Sequence, residues 1–261
     1  HPLTRLFYGV TYYRYTQFQI MPIIIIGLSL VIIPLLFRWL PLLSAKKTTI
    51  AAVFLQLILV TAGGAYQIRQ AVDLGKEEVM AYDYHVRMQN WDEIIRMADK
   101  KTPSSSLSVS CLNLALCKKG IMGDRMFHYY QNGTAGLFPK FIRDFTVPFI
   151  GGEIYYHLGF VNTAQRYAFE AMEALPDYQK SVRAIKRLAE TNIINGEYTV
   201  ARKYLRLLQQ TTRYKGWADK SILALDSEAS IEANPEWSTL RKYRTKTDFL
   251  FCESEKDMML G

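Results

Sequence analysis

The chain has 261 residues, 32 Lys+Arg against 24 Asp+Glu, a net charge of +8 and 49% apolar residues. That length and apolar content exclude a disordered chain and a disulfide-stapled mini-protein. The charge is unevenly placed: residues 1–68 hold five cations and no acid, while the remainder holds 27 cations against 24 acids. No clustered basic stripe results, so nucleic acid is not an expected partner.

In chain order, residues 1–19 read as a flank. The first residue is His1 and not Met, so a processed or truncated piece of a longer product is expected. Residues 20–37 and 48–68 are two runs of 18 and 21 residues without a charge. At 1.5 Å per residue they reach roughly 27 and 31 Å, close to the thickness of a hydrocarbon core. Ile23–Ile26 and Val31–Ile33 have no polar side. The pattern predicts a transmembrane helical hairpin in a lipid bilayer. A signal peptide has a shorter apolar region and no second run after it. The link 38–47 carries Arg38, Lys46 and Lys47 and no acid, which favours a cytoplasmic link and an extracytoplasmic remainder.

From Leu74 onward, amphipathic helices alternate with Gly, Asn and Pro, which predicts an all-α chain. Gly159, Val161 and Ala164 are matched 37 residues later by Gly196, Tyr198 and Ala201. Gly permits a tight inter-helix turn, the residue two later plugs the helix pair, and the small Ala lets two axes approach. Gly152, Tyr155, Gly159, Ala164, Ala171 and Pro176 resemble a tetratricopeptide repeat. Leu112–Gly120 with Met122, and Tyr82–Gln89 with Trp91–Ala98 and Pro103, resemble two earlier units. The plug positions 91, 122, 161 and 198 drift around that repeat's period, as in a degenerate array. Over 69–233 the resemblance implies an α-solenoid of helix pairs turning near Asn90, Gly120, Gly159 and Gly196, with Ala164 and Ala201 buried. Spans followed by such a tail, with the run from Leu112 to Gly133, also resemble uncharacterised bacterial multi-spanning membrane proteins.

Between the second and third units, Phe138, Phe141, Phe145 and Phe149 recur at spacings of 3, 4 and 4. They predict a short helix that Pro148 ends or kinks. Residues 216–233 read as a capping helix, 234–261 as a cap and tail, frayed beyond Asp248.

Little chemistry is visible. His85, His128 and His157 have no second ligand at metal-binding spacing. Cys111 and Cys117 lie on different faces of one helix, too far apart to pair, and their apolar neighbours predict buried free thiols. No phosphate-cradling glycine loop or Gly-x-Ser-x-Gly occurs, so no cofactor is expected and an enzyme is disfavoured. The basic stretches 180–187 and 202–213 read as solvated faces, with acidic lipid head groups as the alternative. In tetratricopeptide arrays the first helix of each pair lines a concave groove. Carried over by position, that groove is Asp83, Arg87, Lys118, Glu153, Tyr156, His157, Arg183, Lys186 and Glu190. The resemblance thus implies a protein or peptide partner for a membrane-anchored interaction or assembly module of a bacterial envelope. The alternative is an accessory domain of a larger membrane enzyme or transporter.

Overall fold

The computed structural model describes residues 24–25, 27–32, 35, 46–72, 74–142, 146–175 and 180–246. Among these residues all regular structure is helical, with no strand. The chain divides into two compact units, His1–Glu77 and Glu78–Gly261.

In the first unit, residues 24–25, 27–32 and 35 are helical, and α1 runs Lys46–Ala71. The expected second span, 48–68, lies within α1, whereas only half of the first, 20–37, falls among the described residues. Val53, Phe54, Leu55, Leu57, Ile58 and Leu59 are all exposed. At 3.6 residues per turn, six such positions among seven point in every direction around the axis. The Thr61 hydroxyl donates to the Leu57 carbonyl at 2.7 Å, so it is satisfied within its own helix. Among the described residues no helix is long and apolar enough to cross a membrane.

The second unit begins within α2 (Leu74–Arg87). It continues through α3 (Trp91–Lys100), α4 (Ser106–Lys118), α5 (Met122–Arg125), α6 (Val147–Leu158) and α7 (Val161–Glu173). Then come α8 (Val182–Asn195), α9 (Tyr198–Gln209), α10 (Lys215–Ala224), α11 (Glu228–Glu232) and α12 (Pro235–Lys242). From α6 to α12 each helix packs on the next; α4 also packs on α3 and α6, and α12 returns to α8. Two cores result. Tyr82, Val86, Ile94, Leu112 and Leu116 pack with Ile150 and Ile154 of α6 in the first. Tyr155 and Tyr156, also of α6, join Ala164, Ile193, Leu205 and Trp237 in the second. Helix α6 therefore lies between both cores and buries its whole girth.

Four helix ends share one turn. Gln89, Gly120, Gly159 and Gly196 have φ of 54°, 72°, 93° and 84°. After each, the next amide donates back across the turn: Asn90 to His85 O, Ile121 to Leu116 O, Phe160 to Tyr155 O and Glu197 to Asn192 O. This is the left-handed Schellman closure, which satisfies orphan carbonyls and lets a new helix start two residues later. Gln89 is exposed and is the one non-glycine in that conformation among the described residues. Gln89→Gly is expected to raise stability by about 0.5–1 kcal/mol in urea unfolding, because it relieves the left-handed strain without losing packing.

Ala164 and Ala201 are both fully buried. The tightest approach is between α6 and α7: a Cβ on Gly151 would come within 2.5 Å of the Tyr167 ring. That ring cannot swing away easily. Its hydroxyl donates to the Pro139 carbonyl at 3.2 Å, and Phe141 and Tyr155 pack edge-on at 5.3 and 5.0 Å. Gly151→Ala should therefore overpack the crossing and lower stability by about 1–3 kcal/mol, read as a shift in denaturation midpoint.

Three expectations are corrected. The four phenylalanines do not form one helix. Phe138 and Phe141 lie in irregular chain, Phe145 is outside the described residues, and Phe149 belongs to α6. Pro148 starts α6 instead of ending a helix, since a first-turn residue needs no intrahelical amide. The irregular chain is held from α4: Asn113 donates to Gly136 O and Gln131 Oε1, both at 2.8 Å, and Ser110 to Ala135 O at 2.9 Å. The capping helix expected over 216–233 is broken at Asp226 and Ser227. The segment after Pro235 is a packed helix, its Asn234 side chain accepting from the Glu236 and Trp237 amides. Finally, Cys111 is buried but Cys117 is exposed, because it sits in the last turn of α4 on the side away from the core.

Candidate functional site: a buried charge network beside a small cavity

Helices α2, α6 and α8 each contribute charged residues to one network, joined by pairs far apart in sequence. Arg183 donates to both Asp83 oxygens at 2.7 and 2.9 Å and to the Phe149 carbonyl at 3.0 Å. Its Nε lies 3.4 Å from Glu153. Arg187 pairs with the other Glu153 oxygen and stands 2.9 Å from Glu190. Lys186 reaches Glu190 at 2.6 Å, with its ammonium 5.0 Å from the Trp217 ring centre. The Arg187 guanidinium stacks on Tyr156, 3.4 Å from its centroid. Spacing on α8 accounts for the convergence: residues 183, 186, 187 and 190 lie on one helical face.

Burial makes this network consequential. Glu153 and Glu190 are 6% and 3% exposed, and Tyr156 and His157 are 0% and 8% exposed. Burial by itself raises the Glu153 carboxyl, but Arg187 and then Arg183 outweigh it and hold the group at about 2. Burial, reinforced by Arg187, drives His157 down to about 3, so it is neutral at pH 7. It packs edge-on to Trp91 at 5.4 Å. Burial followed by Glu190 raises the Glu236 carboxyl, which approaches from α12. Arg183 is held charged despite burial by Glu153 and Asp83.

Eight of the nine residues expected to line a groove thus meet in one region. Lys118 stands apart from the ion pairs: it is exposed in the last turn of α4 and reaches the region only as a charge acting on the buried His157. The open concave groove is corrected, because Glu153, Tyr156, His157 and Glu190 are buried under one another and not presented to solvent. What opens instead is a cavity of 130 Å³ lined by Arg87, Met88, Arg183, Lys186, Arg213 and Tyr214, with Glu153, Arg187 and Glu190 at its wall. Met88, Arg187, Arg213 and Tyr214 lie outside the expected set. Arg187 had a visible signal, four residues after Arg183 and three before Glu190 on one face. Arg213 and Tyr214 lie in the α9–α10 turn, where helical periodicity carries no information.

Chemically, the network can hold charge in place and bind. Among the described residues no group of three His, Cys, Asp or Glu could hold a metal ion. A family of unknown function, DUF6057, has a model that matches residues 1–261. No curated protein and no solved structure matches the chain.

Proposed function

The chain belongs to that family, and from this premise we propose that it is a membrane-attached helical-repeat binding module, of the interaction or assembly kind. The observation that carries the binding part is the convergence of α2, α6 and α8 on one charged cavity. Tetratricopeptide-like repetition is supported by four equivalent turns, 31, 39 and 37 residues apart. Attachment to lipid is supported by the apolar surface of α1, exposed on every side, for which acyl chains are the matching solvent. An extracytoplasmic, envelope-facing second unit is supported by the acid-free link with Arg38, Lys46 and Lys47.

Alkaline carbonate extraction tests attachment: the full chain should stay in the pellet, and release into the supernatant rejects the anchor. Cys117 supplies a native reporter of sidedness, since it is exposed while Cys111 is buried. In a Cys252→Ser background, an impermeant maleimide applied from outside the cytoplasm should label Cys117. For the binding part, cross-linking in intact membranes should recover a protein partner. Arg87→Glu with Arg213→Glu should lose it without loss of fold.

A further inference from the structure

The cavity beside α8 has more positive charge than its own carboxylates neutralise. Glu190 is shared by Lys186 and Arg187, and Glu153 by Arg183 and Arg187. Arg183 is further occupied by Asp83 through two hydrogen bonds. Two cations at the lining are left over. Arg87 comes no closer than 3.9 Å to Asp83, to an oxygen that already accepts from Arg183. Arg213 is exposed and makes no ion pair among the described residues.

Arg187 Nε and Nη1 are buried without an acceptor. The Nη1–Glu190 contact at 2.9 Å is off the N–H axis, so it is coulombic and not a hydrogen bond. Glu190 Oε2 is likewise left without a donor. Buried guanidinium nitrogens normally find acceptors. Those two nitrogens are closed off from water-sized space, and it is the rest of the Arg187 side chain that reaches the cavity wall.

We propose that this cavity binds a phosphate group as a dianion, with Arg87 and Arg213 closing on it from the mouth and Arg183 and Arg187 behind. Arg87, only weakly paired with Asp83 at 3.9 Å, and the exposed Arg213 offer two positive charges to an anion at the mouth. The planar fork of each suits paired oxygens of a tetrahedral anion. A singly charged carboxylate leaves one of them uncompensated. The proposal names the ligand chemistry of the face described under Proposed function and rests on that face being the binding face.

The test uses the full chain in detergent micelles at low salt, titrated calorimetrically with inorganic phosphate. One saturable site per chain is expected, with acetate at least tenfold weaker. Arg87→Gln with Arg213→Gln should weaken phosphate at least tenfold, and its unfolding temperature should match that of the parent because neither side chain holds the fold. Absence of saturable binding, or equal binding by the double variant, overturns the proposal. Vesicles of phosphatidylcholine with and without phosphatidic acid identify the source. If phosphatidic acid competes with inorganic phosphate, the group is a lipid headgroup; if it does not, it is a soluble phosphate. Partner recovery in membranes separates the two readings. Phosphate binding lost with recovery intact leaves the anion site standing and moves partner binding elsewhere. Recovery lost without any phosphate binding keeps the binding face and removes the anion.

Discussion

Arg187→Ala is expected to destabilise the second unit by about 3–5 kcal/mol, the cost of leaving buried charges without their partner. Both Glu153 and Glu190 lose a cation at once, and Tyr156 loses the guanidinium stacked on its ring. At roughly 2–4 °C per kcal/mol for a unit of this size, the unfolding temperature should fall by about 10 °C. Arg187→Lys should recover only part of this, because an ammonium cannot serve two carboxylates and lie flat on a ring. Combining Arg187→Met with Glu153→Gln and Glu190→Gln should recover most of it, since removing all the charges also removes their desolvation cost. A loss below 1 kcal/mol for Arg187→Ala in urea unfolding contradicts a buried network. For the same reason Tyr156 and Arg183 cannot be replaced together without loss of stability. Arg183 is tied to α2 and α6, and Tyr156 is in the core.

Stability should also fall as pH drops from 6.5 to 4.5, by about 2–3 kcal/mol through His157 alone. The folded imidazole titrates at about 3, whereas the unfolded one takes its proton near 6.5. In the interval between, the unfolded chain binds a proton that the folded chain refuses, so acid favours unfolding. The groups facing His157 are Arg187, Lys118 and Lys186, which oppose its protonation, and Glu153, which favours it. Below about 4.5, Glu153 adds a second loss in the same direction. Its folded pKa of about 2 lies under the unfolded value, so its contribution is present at neutral pH and fades as the group protonates. Glu236 works against both, because its raised folded pKa makes the folded state the better proton acceptor. Urea denaturation at half-unit pH intervals measures the slope. His157→Phe should flatten it between 6.5 and 4.5 while leaving the acid limb.

Much of the fold could be read from the chain because it depends on local properties. An all-helical second unit follows from periodicity, and the ends of α4, α6 and α8 from glycines able to adopt positive φ. Ala164 and Ala201 were identifiable as crossing points because small size is a property of the residue itself. The same locality explains why a left-handed Gln89 is not legible in the sequence: nothing in a glutamine advertises that conformation, which the Schellman closure between α2 and α3 requires. Pro148 is compatible with either a helix start or a helix stop, and only the chain before it decides between them.

For the candidate site, the sequence by itself determined which residues share a helix face, and therefore which could meet. Arg183, Lys186 and Glu190 follow from the spacing on α8, and Glu153, Tyr156 and His157 from α6. Whether those faces look toward water or toward one another was decided only by tertiary structure. Charges enter an interior when partners from distant segments compensate them, as Asp83 does for Arg183 across 100 residues. No local pattern encodes that compensation, so a charged helix face that is buried looks the same in sequence as one that is solvated. The turn between α9 and α10 shows the same division: Arg213 and Tyr214 reach the cavity because α9 and α10 pack beside α8, a placement set by the cores and not by the turn.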